Sequence, residues 1–92
     1  MAEVTVRIPS LLAELADGRP EHSVEGATVG GALTALFERF PQLQVHVFDE
    51  SGEVRRHVSC FHNGRHARSA EAHAVRLADG DTVTILQAVS GG

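Results

Sequence analysis

The sequence contains no lysine: its 8 basic residues, histidines aside, are all arginine. Without an ε-amine the chain cannot be an ordinary isopeptide acceptor, except through its own N-terminus, although it can still act as an acyl donor. A second cysteine is missing as well. Cys60 stands alone, so no intrachain disulfide can form, and nothing in the cysteine usage argues for an oxidising compartment. No apolar run approaches the roughly 20 residues that a membrane-spanning helix needs, and the N-terminus lacks the basic-then-apolar pattern of a secretory signal. Excess positive charge is absent too. The formal net charge is −4, which leaves binding to nucleic acid without electrostatic support. Together these absences predict a cytoplasmic protein with neither nucleic acid nor membrane as partner. No repeat, low-complexity tract or linker divides the 92 residues, so they are expected to form one domain, 1–92, with a flexible tail over 87–92.

What is present begins with period-two alternation. Val4, Val6 and Ile8 share one face of a strand over 3–8 that Pro9 ends. Asp17-Gly18-Arg19-Pro20 has turn composition, and His22-Ser23-Val24-Glu25 reads as a weaker edge strand closed by Gly26. Thr28 is a helix N-cap candidate. After it Val29, Ala32, Leu33, Leu36, Phe37 and Phe40 fall on one helical stripe, with Pro41 at the boundary. Gly30 and Gly31 weaken the first turn, so packing rather than propensity must hold this helix.

Leu43, Val45, Val47 and Phe48 form an apolar patch that fits either a helical turn or an extended piece. An acidic loop around Gly52 leads to a strand expected over 54–62. Asn63-Gly64 is a two-residue hairpin signal, with a short return strand over 65–68. Asp79-Gly80-Asp81 is a turn, and Thr82 to Leu86 a final strand with Val83 and Ile85 on one face. The order predicts a two-layer α+β domain, a four- or five-stranded sheet against one main helix.

The sequence ends Val89-Ser90-Gly91-Gly92. Two residues without side chains let another protein's active site close around both faces of a terminal carboxylate, because no Cβ blocks the approach. The order of elements and this tail resemble the ubiquitin-like β-grasp sulfur carriers, the MoaD, ThiS and CysO group. That family closes on Leu-x-Asp-Gly-Asp-x-Val-x-Ile-Leu-Pro-x-Val-x-Gly-Gly. Leu77 to Gly92 matches it, with Gln87 in place of the usual proline. Gly26-Ala27-Thr28-Val29 matches the stretch before the family's helix, and Asn63 its central turn. The opening Val4 to Pro9 looks most like the CysO-type carriers.

The resemblance implies that the chain is a sulfur carrier rather than an enzyme. Gly92 would be adenylated by a ubiquitin-activating-like partner of the MoeB/ThiF type, which uses ATP, and then converted to a thiocarboxylate, with Gly91 giving steric clearance. The carrier itself would bind no cofactor. The CysO likeness implies a pyridoxal-phosphate cysteine synthase as sulfur acceptor. Alternatives are the small subunit of molybdopterin synthase, a carrier for a thiazole or a specialised metabolite, a ubiquitin-like protein modifier, or a pure interaction module.

Docking is expected on the sheet face that the helix leaves open. With Val58, Cys60 and His62 inward, His57, Ser59 and Phe61 point outward, as do Thr82, Thr84 and Leu86. Phe61 and Leu86 would be the apolar anchor, and Val89 and Ser90 would enter the partner's groove. His57, His62 and His66 around Cys60 fit no zinc signature, and alternation sends His57 and His62 to opposite faces, so no metal is expected. Cys60 reads as a small buried hydrophobe. His62 is core-facing where an aliphatic residue is usual, which implies partial exposure or a register slip. Arg55-Arg56 fits either a solvated patch or a partner contact.

Overall fold

Alternation in the first strand produces the pattern that its period dictates. In the computed structural model, which describes residues 2–67 and 74–87, β1 (Ala2–Arg7) buries Ala2, Val4 and Val6 and turns Glu3 and Arg7 to solvent. Leu12 and Ala13 of a short α1 (Ser10–Ala13) cap one end of the core, and the chain returns as β2 (Glu21–Gly26). β2 pairs antiparallel with β1 from Ala2↔Gly26 to Arg7↔Glu21, so His22, Val24 and Gly26 face inward. His22 is buried, its Nε2 lies 2.7 Å from the carbonyl oxygen of Arg19, and its ring packs on Phe40.

Thr28 caps α2 (Val29–Arg39) as its position predicts: its Oγ1 accepts from the Gly31 N–H at 3.0 Å. The helix buries Val29, Ala32, Leu33, Leu36 and Phe37, and Phe40 is partly buried at its C-cap. Gly26 makes the close approach possible. A Cβ there would stand 2.6 Å from the Ala32 nitrogen, so only glycine lets the end of β2 touch the start of the helix. Pro41 ends α2 and also opens α3 (Pro41–Val47), where a missing N–H costs nothing. The ambiguous apolar patch is therefore helical, with Leu43 and Val47 buried four residues apart and Val45 exposed. Phe48 leaves the helix to meet Phe37 edge-on, ring centroids 5.0 Å apart.

The strand expected over 54–62 is shorter. β3 begins at Val58 and runs Val58–His62. Val54 makes an isolated bridge to Phe48 rather than extending β3, and Arg55 folds back on α3, its N–H donating to the Val47 carbonyl and its Nε to the Val45 carbonyl. That anchoring bends the chain before a longer strand can form, and gives Arg55 a structural role. Asn63 (φ 50°) and Gly64 (φ 86°) then make the tight turn to β4 (Arg65–Ala67), two left-handed residues in sequence. The expected end of that strand at Arg68 lies outside the described residues.

β5 (Thr82–Gln87) inserts into the middle of a five-stranded mixed sheet of order β2-β1-β5-β3-β4, parallel to β1 and antiparallel to β3. The α2 stripe covers the inner face, and the other face is open. This is the β-grasp arrangement. No helix among the described residues is long and apolar enough to cross a membrane.

Candidate functional site

The inward residues of β5, Val83 and Ile85, are fully buried between their register partners. They pin the strand in the sheet's centre and fix which side chains its other face displays. Thr84 lies between Arg7 of β1 and Phe61 of β3, and Leu86 lies opposite Ser59. Leu86 is 51% exposed, a large apolar side chain one residue before the end of the strand. Phe61 shares this face but is only partly exposed, because the imidazole of His66 leans against it at 5.3 Å between centroids. His66 is set directly opposite Phe61 by the two-residue turn. Sequence reading weighed His66 only as a metal candidate, although the Asn63-Gly64 signal fixes its pairing with Phe61 once the turn length is known.

Gln87 pairs with Val58 at the far end of β5, so the chain departs there toward the C-terminus. Val89, Ser90, Gly91 and Gly92 lie outside the described residues. The structure thus sets Phe61 and Leu86, the two residues expected to anchor a partner, on one sheet face near Gln87, the last described residue.

The opposite end of β5 is clasped by Asp81. Its Oδ2 lies 2.7 Å from His62 Nε2 and accepts from the Ala78 N–H at 2.9 Å, while its Oδ1 accepts from Asn63 Nδ2 at 3.1 Å. Asn63 answers with its own Oδ1, which accepts from the Thr82 N–H at 2.8 Å, and its N–H donates to the Thr82 carbonyl. The hydrogen bond from His62, then those from Ala78 and Asn63, hold the Asp81 carboxyl down at about 2. His62 is therefore inward and partly exposed in the expected register, its polar edge taken up by the turn that starts β5. Sequence reading named each of these residues separately. Only tertiary pairing joins them, since His62 and Asp81 stand 19 residues apart.

Cys60 is buried on the inner face, and burial pushes its thiol up to about 11. Among the described residues no cluster of histidine, cysteine and carboxylate has the geometry of a metal site. His62 faces Asp81, and His66 faces Phe61. The described part of the chain thus displays a half-exposed apolar side chain, Leu86, on the open sheet face one residue before the end of β5.

Comparison with known proteins agrees with this geometry. The model of the ThiS family matches residues 6–92. The sulfur carrier protein CysO of Mycobacterium tuberculosis is 35% identical over 91 residues, covering 97% of this chain and 98% of that protein. Small archaeal modifier protein 1 of Haloferax volcanii is 41% identical over 83 residues, 88% of this chain and 91% of its own. The crystal structure of that modifier matches with a TM-score of 0.84 at 33% identity, over 99% of this chain and 100% of the other. A chain in the crystal structure of the Amycolatopsis orientalis BexX/CysO complex matches with a TM-score of 0.83 at 29% identity, over 97% and 99%.

Proposed function

The chain belongs to the ThiS family of sulfur carriers and ubiquitin-like modifiers, and from that premise we propose that the carboxylate of Gly92 is its reacting group. The observation that carries this reading is the family match running through residue 92, behind a central strand that ends beside an exposed apolar anchor. At neutral pH a terminal carboxyl, with a reference pKa of about 3.3–3.7, is an anion and a poor electrophile. It becomes reactive when an activating enzyme brings ATP to it. The carboxylate oxygen attacks the α-phosphorus, pyrophosphate leaves, and an acyl-adenylate remains. A sulfur nucleophile then attacks the carbonyl carbon and AMP departs, which leaves a thiocarboxylate. ATP belongs to the activating enzyme in this scheme.

The carrier contributes position. Residues 87–92, fully extended, reach at most about 20 Å, so the partner's active site must lie within that distance of the docking face. Phe61 and Leu86 anchor the body, Val89 and Ser90 enter the partner's channel, and Gly91 leaves room for the reagents around Gly92. Anchoring offsets the entropy lost when the tail is threaded. Likeness to CysO favours cysteine synthesis as the destination, with an activated serine on a pyridoxal-phosphate enzyme as acceptor. Delivery to molybdopterin or a thiazole uses the same tail. Conjugation to protein amines is the second reading, favoured by the identity to small archaeal modifier protein 1.

Intact mass measurement after incubation with a cognate activating enzyme, ATP and sulfide separates these. A gain equal to exchanging one oxygen for one sulfur, absent after deletion of Gly92, supports the carrier. Adducts on acceptor lysines support the modifier, and an unchanged mass in every mixture sinks both.

A further inference from the structure

We propose that the outer edge of β2 accepts an extended, basic segment of a partner protein as an added strand. The parity of the sheet exposes that edge. In β1 the Thr5 N–H donates to Asp81 and the Glu3 carbonyl accepts from Gly80, so the backbone groups of Glu3 and Thr5 point toward β5. Their register partners Glu25 and Ser23 therefore form non-hydrogen-bonded pairs with β1 and turn their own N–H and C=O groups away from the sheet. One of those groups is covered: Arg39 of α2 donates from Nη1 to the Ser23 carbonyl at 2.8 Å. The Ser23 N–H and both backbone groups of Glu25 have no partner among the described residues. A groove of about 450 Å³ runs along this edge, walled by Ala35 and Arg39 of α2. An arriving strand displaces the guanidinium from a single carbonyl and gains a ladder of main-chain bonds.

Charge selects the occupant. Glu21 and Glu25 flank Ser23 on the open face, but Glu21 is held by Arg7, whose Nε donates to its Oε2 at 2.7 Å, whereas Glu25 stands directly opposite Glu3 as a like-charge pair with no ion-pair partner among the described residues. A second copy of this chain would add its own Glu25 and Glu3 to the unneutralised pair already beside the seam, so self-pairing is disfavoured. A segment with arginine or lysine at alternate positions places a cation against Glu25, which has no ion-pair partner among the described residues, while its backbone pairs with Ser23 and Glu25. The site is distinct from the Phe61–Leu86 anchor, since β1 and β5 separate β2 from β3.

The test uses the full chain and two synthetic peptides of alternating valine, one with lysine and one with glutamate at the intervening positions. Amide exchange and chemical shifts are read by NMR. The lysine peptide is expected to protect the Ser23 and Glu25 amides, and the glutamate peptide to leave them unchanged. Glu25→Arg should weaken the lysine peptide by about two- to fivefold. Ser23→Pro, which removes an N–H that the fold does not use, should abolish binding while the spectrum stays folded. Protection mapping to Phe61 and Leu86 instead, equal response to both peptides, concentration-dependent dimerisation through β2, or no protection at millimolar peptide would each overturn the proposal. None of these readings depends on Gly92, so they stand or fall apart from the sulfur-carrier assignment.

Discussion

Asp81 and His62 lie 2.7 Å apart, joining the residue just before the last strand to the residue that ends β3. The contact sits at the end of β5 away from Gln87, where the chain departs toward its terminus. It secures the strand's start without crowding its exit.

Asp81 carries a pH signature. Its carboxyl titrates at about 2 in the folded chain against 3.8 ordinarily, so the folded state favours the charged form. The stabilisation is complete above the ordinary value and is lost as pH falls from 3.8 toward 2. Urea midpoints measured from about pH 5 downward are expected to drop across that window, and Asp81→Asn to flatten the drop. An unchanged slope in the variant would separate Asp81 from acid sensitivity.

Docking should respond to the open face with little effect on folding. Leu86→Ala, at an exposed site, is expected to change stability by less than about 0.5 kcal/mol. Phe61→Ala should leave the domain folded. Each should raise the activating enzyme's KM for the carrier by about tenfold with kcat little altered, as loss of a binding anchor does. Steady-state adenylation kinetics check this, and wild-type KM in both variants would move docking elsewhere.

Leu36→Ala opens a cavity at a fully buried position and should cost about 2–5 kcal/mol in denaturant unfolding. Gly26→Ala fails for the opposite reason. The added methyl meets the backbone of Ala32 rather than a movable side chain, and about 1–3 kcal/mol is the expected loss. A neutral Gly26→Ala would mean that β2 and α2 do not touch as described.

The Cys60 thiol, buried and raised to about 11, should resist alkylation in the native state and react at once in denaturant. Timed labelling with iodoacetamide reads this directly. Rapid native labelling would expose the inner sheet face.

The helix stripe and the alternating strands were legible because each buries one face with its own period. Thr28 capping, the inward set of Val83 and Ile85, and the outward set of Leu86 followed from those periods alone. Three things did not follow. The segment before Val58 looked like strand, but Arg55 binds carbonyls of α3, a pairing invisible in one dimension. His22 is buried because it shares parity with Val24, yet its polar ring hid it from a count of apolar residues. Phe61 is less exposed than alternation implied because His66 of the neighbouring strand leans on it. Near the end of β5, the outward set of Thr84 and Leu86 was readable, whereas the Asp81 clasp needed the sheet to be assembled.

Central placement of β5 has a temporal consequence. β1 and β2 on one side, and β3 and β4 on the other, share no strand pairing except through it. On a ribosome, a nascent chain that has not yet released Thr82 to Gln87 holds two disconnected ribbons and cannot close its core. A chain truncated before β5 is thus expected to stay unfolded and open to proteolysis. A molecule whose sheet has closed has therefore already been synthesised through Gln87.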